Sequence, residues 1–365
     1  MRAAVCRGVG RPLEIEELEI AEPGPGEVMV RLAASGVCHS DLHVLDGDWA
    51  EPRPIVLGHE GAGAVEAVGA GVDRLGVGDH VVLSWLPGCG QCRHCRAGRP
   101  QLCLAAPATV FSHLMPDGTS RLRCGDEQIR SMLTVGSLGE YSVVPERGAV
   151  AIDPSLPLDR AAVVGCAVTT GFGAAVNTAR VALGDSVTII GCGGVGTSVI
   201  QGCVDQGAET IIAVDANAGK LALAKRFGAT HVVDASNSDA VAAVRAIMPD
   251  GVDFAFEAIG LKATIEQALA MLGNGGAMVI VGMPPDGVTV EIDPNQVAGF
   301  EHRILGCNYG SSNPAVDFPR LLDLYRAGRL DLDSMITTRI ALEQVNDAFA
   351  QMRDGDGVRS VVLYS

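Results

Sequence analysis

Residues 186–308 alternate short apolar runs with segments of helix length, and no other feature limits the fold as strongly. The runs are SVTIIG (186–191), TIIAVD (210–215), HVVD (231–234), VDFAFEA (252–258), AMVIVG (277–282) and RILGCN (303–308). Ala-rich stretches of helical period, such as 219–227 and 262–272, lie between them. Strands without polar alternation have both faces buried, which happens when helices cover a parallel sheet on either side. Six of them predict a doubly wound α/β fold.

The first of these strands runs into GCGGVG (191–196), a G-x-G-x-x-G turn that opens a helix. Gly191 allows the tight turn, Gly193 lets the backbone approach a pyrophosphate, and Gly196 lets helix and strand pack closely. Gly194 and Val195 complete the turn, whose N–H groups and helix dipole favour phosphate. Asp215 ends the next strand, 19 residues beyond Gly196, where a carboxylate can bond ribose hydroxyls. That charge repels a 2′-phosphate, and residues 216–219 include no Arg, so NAD is expected over NADP. Lys220 has two readings, as a ribose contact or as a solvated helix lysine.

The preceding region is different. Residues 1–165 show short alternating segments broken by Gly and Pro, which predicts an irregular, barrel-like β unit. After about 310 the strand–helix pattern stops. A helix over 318–327, another near 343–352 and a terminal strand SVVLY make a tail too short for a domain. It is expected to return to the first unit. With 365 residues, two domains follow at roughly 150 residues each.

Apolar residues make up 48% of the chain, which supplies real cores. The 27 basic against 43 acidic residues leave a net charge of −16, so nucleic acid and an anionic membrane surface are not expected partners. The opening residues MRAAVCRGVGRPLEIEE lack a signal-peptide pattern, and we find no uncharged apolar stretch of spanning length. The expectation is a cytoplasmic protein with no membrane span, and its 11 cysteines then need a role other than disulfides.

Four of them supply one. Cys89, Cys92, Cys95 and Cys103 form C-x2-C-x2-C-x7-C. Four thiolates in one loop can close a tetrahedral zinc shell with no open position, a structural site. An iron–sulfur cluster uses the same ligand set. Three further residues are dispersed: Cys38 in GVCHSDLH, His59 in LGHEGAG and Cys166 in VGCAVTTGFG. Spacing alone does not connect them.

Together with MPDGTSR and VGMPP, these motifs resemble the zinc-dependent medium-chain alcohol dehydrogenases along nearly the whole chain. The four-Cys lobe followed by MPDGTSR is similar to the longer branch, which includes glutathione-dependent formaldehyde dehydrogenases. The resemblance implies a GroES-like catalytic domain (1–167 with 309–365), a Rossmann NAD-binding domain (168–308) and an active site between them. It implies two zinc ions per chain, and Cys38, His59 and Cys166 as ligands of the catalytic one. Ser40 would take the substrate proton and His43 would deliver it to solvent. Asp41 would orient His59, and Glu60 would sit behind the metal. His39 and Arg359 would lie near the coenzyme pyrophosphate. Trp85, Leu138, Met283 and Asn308 would line the substrate pocket. Without the resemblance, Ser40 and Asp41 read equally as helix caps and His43 as a surface histidine.

The implied reaction is reversible oxidation of a primary alcohol, aromatic or medium-chain, by a homodimer or homotetramer. Two alternatives stay open. One is a formaldehyde dehydrogenase acting on a thiol adduct of glutathione or mycothiol. The other is a nicotinoprotein that keeps its NAD and uses an external acceptor. A non-enzymatic binding role does not suit an intact metal triad beside Ser40 and His43.

Overall fold

The computed structural model describes residues 1–364. The six apolar runs form one sheet, in the spatial order His231–Asp234, Thr210–Asp215, Ser186–Ile190, Val252–Glu257, Leu272–Ile280 and Arg303–Gly306. Every pairing in it is parallel. The central strand Ser186–Ile190 is buried at all five positions, as a strand with covered faces must be. The fifth strand begins at Leu272, five residues before the apolar run that announces it. Gly273, Gly275 and Gly276 read as a turn, but the chain stays extended through a register shift opposite Val252 and Phe254.

The remaining strands build two further sheets. The larger is ordered Ala149–Ala151, His80–Leu83, Glu60–Val68, Glu27–Val37, Arg359–Leu363 and Ile336–Ile340, and Tyr141–Pro145 also pairs with Glu27–Val37. The tail thus adds two strands, and Arg359–Leu363 runs antiparallel to Glu27–Val37. The smaller sheet brings Arg2–Cys6 together with Glu14–Glu17 and Ile55–Val56.

A helical run, Leu158–Ala179, joins the two halves. It is 22 residues long, and by length and composition it meets the requirement for a membrane span, with 83% of its most apolar window buried inside the fold. Thr169, Thr170, Asn177 and Thr178 interrupt its apolar residues, and packing explains its character. A Cβ on Gly171 would lie 2.1 Å from the Val195 carbonyl oxygen, so the run packs backbone to backbone on the helix Gly194–Gln206. One core cluster therefore contains Ala34 and Val82 from the first half, Ile189 and Phe256 from the parallel sheet, and Phe318 and Val361 from the tail.

Candidate functional site

Cys38 follows the long strand Glu27–Val37 and stands at the N-cap of the helix His39–Asp46, with extended backbone (φ −113°, ψ 154°). His59 immediately precedes the strand Glu60–Val68. Cys166 lies in Val164–Val168, where the helical run widens to π geometry, a feature frequent at functional sites. One ligand atom from each of Cys38, His59, Glu60 and Cys166 falls within a 4.8 Å span, and all four residues are buried. Asp41 organises two of them. Its Oδ2 accepts from Cys38 N at 3.0 Å, and its Oδ1 accepts from Gly58 N at 2.9 Å and faces His59 Nδ1 at 3.2 Å. His59 Nε2 is thereby left for a metal.

The donor set fits a divalent cation. The Cys166 thiol beside Cys38 holds Cys38 well below the usual thiol range, and the same contact pushes Cys166 up. Glu60 Oε1 accepts from Arg359 Nη2 at 2.8 Å and from Ala167 N at 3.0 Å. Burial pushes the Glu60 carboxyl up to about 7 against the pull of Arg359. Its Oε2 is buried without a partner. Two sulfurs, an imidazole nitrogen and a carboxylate oxygen within so short a span are an arrangement that a zinc-type ion satisfies.

The second cluster, Cys89, Cys92, Cys95 and Cys103, is equally tight, and Cys89 Sγ lies 4.0 Å from Cys95 Sγ. Zinc–sulfur bonds of about 2.3 Å place tetrahedral sulfurs about 3.8 Å apart, so the loop is close to metal-binding geometry. Backbone N–H groups point at the sulfurs, from Cys89 to Cys103 Sγ at 3.2 Å and from Cys92 to Cys89 Sγ at 3.4 Å. N–H groups of Cys95 and Leu104 pull the Cys92 thiol down to about 6. None of the eleven cysteines is in a disulfide.

Ser40 lies beside the buried cluster, with Oγ 3.9 Å from Cys38 Sγ. His43, expected at the solvent end of the path, is instead buried, its side chain 10% exposed. The indole of Trp49 stacks on it at 4.7 Å, and the His39 ring meets it edge-on at 4.9 Å. Its Nδ1 faces Asp48 Oδ2 at 2.7 Å, and the Asp48 side chain is 41% exposed. Asp48 thus reaches solvent where His43 does not. The cause is Gly47, which ends the helix in the left-handed region (φ 85°) and folds the next residues back over His43. The triplet GDW at 47–49 is the sequence signal of this turn.

On the coenzyme side, Gly191 has φ 93°. A Cβ on Gly196 would lie 1.7 Å from the Gly191 carbonyl oxygen, whereas Gly193 faces open space. Asp215 braces the turn, with Oδ2 accepting from Cys192 N at 2.7 Å and Oδ1 accepting from Asn217 N at 2.8 Å. Lys220 is half-buried in the first turn of the helix Ala218–Arg226. Arg359 is buried under Gly194. Its Nη1 donates to Val37 O at 2.8 Å, and its Nε has no partner, a buried donor that a phosphate oxygen can satisfy. His39 is exposed.

The expected pocket residues separate. Trp85 tilts on Tyr309 with ring centroids 4.3 Å apart, and its Nε1 is buried without a partner. Met283 and Asn308 are exposed, and Asn308 Nδ2 donates to Gln101 O at 2.8 Å. Leu138 has no exposed surface and packs in a core cluster with Leu57 and Phe349, which corrects its expected place on the pocket wall. Leu133 is half-buried nearby in a strained backbone (φ 51°) and borders two core clusters. Among the hydrogen bonds that cross between the halves, three join residues 48–50 to 284–286: Trp49 Nε1 to Pro284 O (3.1 Å), Asp286 N to Asp48 O (3.0 Å) and Ala50 N to Asp286 Oδ2 (3.2 Å).

Residues 24–154 match the alcohol dehydrogenase GroES-like domain, and residues 194–327 match the zinc-binding dehydrogenase family. The NDMA-dependent alcohol dehydrogenase of Amycolatopsis methanolica is 39% identical, covering 100% of this chain and 99% of its own. The Schizosaccharomyces pombe protein named "Probable S-(hydroxymethyl)glutathione dehydrogenase 1" is 40% identical, covering 99% and 96%. The crystal structure of an alcohol dehydrogenase zinc-binding domain protein from Burkholderia ambifaria superposes with a TM-score of 0.95 at 38% identity, covering 100% and 98%. The chain therefore belongs to the zinc-binding medium-chain alcohol dehydrogenases, enzymes that interconvert alcohols and aldehydes with zinc and NAD.

Proposed function

We propose that this enzyme oxidises a primary alcohol in the cleft beside Cys38, His59 and Cys166, and that its NAD stays bound between turnovers while a second small molecule takes the hydride. The observation that carries retention is the full-length likeness to a relative named for its dependence on NDMA, an added compound, and not for a coenzyme. Cys38, His59 and Cys166 would hold the catalytic zinc, with the buried carboxyl of Glu60 in the same cluster. Bound there, zinc lowers the proton affinity of an alcohol oxygen and polarises a carbonyl. Cys89, Cys92, Cys95 and Cys103 hold a structural zinc.

The proton work falls to the chain. Ser40 Oγ takes the alcohol proton, and His43 carries it on toward the exposed carboxylate of Asp48. Asp41 fixes the orientation of His59. Gly191, Gly193, Gly194, Val195 and Gly196 seat the pyrophosphate of NAD, which supplies the hydride-accepting ring. Asp215 would bond the ribose, Arg359 Nε and His39 would meet the phosphates, and Lys220 would contact the same sugar. Trp85, Met283 and Asn308 line the route of the substrate. These roles divide the chain into a catalytic domain of 1–167 with 309–365 and a coenzyme domain of 168–308. We place the enzyme in the cytoplasm as a homodimer or homotetramer.

Counting NAD released by heat-denaturing freshly purified protein tests retention: close to one per chain is expected, and a coenzyme-free preparation overturns it. The likeness to the S-(hydroxymethyl)glutathione dehydrogenase favours a second reading, oxidation of a thiol adduct. Formaldehyde oxidation that requires glutathione or mycothiol would decide for it.

A further inference from the structure

A left-handed backbone is costly for any residue with a side chain, and seven described residues other than glycine adopt it. Four of the seven, His113, Leu133, Thr134 and Tyr309, are linked to one another. Leu133 and Thr134 are consecutive, and His113 Nδ1 accepts from Leu133 N at 2.9 Å. Leu133 also packs against the core cluster that contains Tyr309, and the Tyr309 hydroxyl donates to Gly165 O, next to Cys166. Strain of this kind persists only where surrounding contacts fix it, and it collects at functional sites.

The contacts that fix it run through the His113 ring, whose side chain is 1% exposed. Because Nδ1 accepts from Leu133, the ring proton sits on Nε2 and is donated to Glu51 Oε2 at 2.7 Å. Glu51 N in turn donates to Trp49 O at 3.0 Å. Thr134 Oγ1 donates to Leu133 O at 2.6 Å, and Gly136 N donates to Met132 O at 3.1 Å, which closes the turn. The Leu133 side chain is half-buried and packs against two clusters, one joined by Trp85 and the other by Trp49. Trp49 stacks on His43, on the Cys38 side of the metal ligands, and Trp85 leans on Tyr309, on the Cys166 side. Leu133 thus lies between the surroundings of the two indoles and keeps part of its surface free.

We propose that His113 is a positioning residue for substrate choice: by holding Leu133 in its left-handed turn, it fixes an apolar wall that grips the tail of a longer alcohol. The inference rests on the primary-alcohol reading and deepens it, since a short alcohol gains nothing from such a wall. His113 acts through Leu133, and its two contacts are separable. In His113→Asn the side-chain oxygen takes the place of Nδ1 and accepts from Leu133 N, while the Glu51 contact is lost. In His113→Gln the amide nitrogen takes the place of Nε2 and donates to Glu51, while Leu133 N loses its acceptor. Leu133→Gly keeps the N–H, adopts the same turn without strain and removes the wall itself.

The test uses full-length enzyme with its zinc and reads binding from Trp49 and Trp85, the two tryptophans of the chain. Fluorescence titrations with 1-hexanol and with ethanol give a ratio of affinities that needs no turnover. Leu133→Gly should lower the hexanol-over-ethanol ratio about tenfold, since a methylene-sized contact in an apolar pocket is worth about that much. His113→Gln should lower it about fivefold, within the range of one lost neutral hydrogen bond. His113→Asn should hold the ratio within about twofold of the parent, a rescue that a merely structural histidine would not show. A parental ratio in either Leu133→Gly or His113→Gln overturns the proposal. If His113→Gln fails to fold, Glu51→Ala replaces it by freeing the ring at Nε2, with about threefold expected and the parental ratio again overturning the proposal. Lowered ratios in a protein whose parent oxidises no primary alcohol leave the wall standing and remove the primary-alcohol reading.

Discussion

Arg359 donates to Glu60 across 299 positions of sequence, with Nη2 2.8 Å from Oε1, side-chain exposures of 5% and 0%, and Cys38 close by. The terminal strand thus supplies the counter-charge of the metal site. Removing one partner of a buried pair strands the other charge, which costs about 3–5 kcal/mol. Arg359→Ala should lose that much stability in denaturant titration, and Arg359→Lys should recover part of it. A loss below about 1 kcal/mol would show that Glu60 is neutral or solvated in the folded enzyme.

The two clusters share no ligand, so fresh protein should contain two zinc ions per chain. Cys92→Ser should reduce folded yield, since a closed structural site contributes directly to folding. Cys38→Ser should abolish turnover and leave the far-ultraviolet circular dichroism intact. Metal analysis that finds one zinc or fewer in chelator-free protein contradicts the assignment.

Asp215 already braces the glycine-rich turn and places negative charge where an added phosphate would sit. NAD should be preferred over NADP by at least about tenfold, the equivalent of one ~1.4 kcal/mol charge contact. Asp215→Gly should narrow the preference while loosening both coenzymes, because Cys192 N also loses its acceptor. Equal affinities of the coenzyme-stripped enzyme for NAD and NADP would take this role from Asp215.

Ser40→Ala removes the hydroxyl nearest Cys38 and should slow single-turnover alcohol oxidation about 10²-fold. His43→Gln should cost about tenfold, since water can partly replace a later member of a relay. Asp48→Asn keeps the shape and removes the exposed charge, so a smaller loss is expected. Parental single-turnover rates in Ser40→Ala with full zinc would remove Ser40 from the proton path.

Arg121 and Thr119 hold the Asp117 carboxyl down to about 2. Its folded value lies below the ordinary carboxylate value, so its contribution to stability is present above about pH 4 and is lost as the pH falls toward 2. Asp117→Asn should flatten the stability profile in that window. An unchanged slope of unfolding free energy against pH would show that the Arg121 contact does not persist in solution.

Periodicity made the parallel sheet legible, because each strand buried on both faces is apolar throughout and each helix between them keeps its own period. The glycine turn and Asp215 were legible for the same local reason: adjacent residues form them, and their backbone demands leave marks in composition. The four-Cys lobe closes within one loop and could be read from spacing. Cys38, His59 and Cys166 could not be joined by spacing, since their meeting depends on a strand end, a neighbouring strand start and a π-widened helix. Only resemblance linked them. Leu138 shows the limit of that transfer, because a pattern position does not say whether a side chain faces the cleft or the core.

The sequence by itself determined the six-stranded sheet, the coenzyme turn and the closed cysteine lobe, since short-range periodicity and spacing carry them. Tertiary structure alone decided that Arg359 lies under Glu60, that Asp48 covers His43, that Trp49 reaches Pro284 and that a spanning-length apolar run is a core helix. Each of these is a contact between distant segments, or a burial that only the packed halves create. No local pattern records such contacts, because the energy that selects them arises only once distant segments pack together.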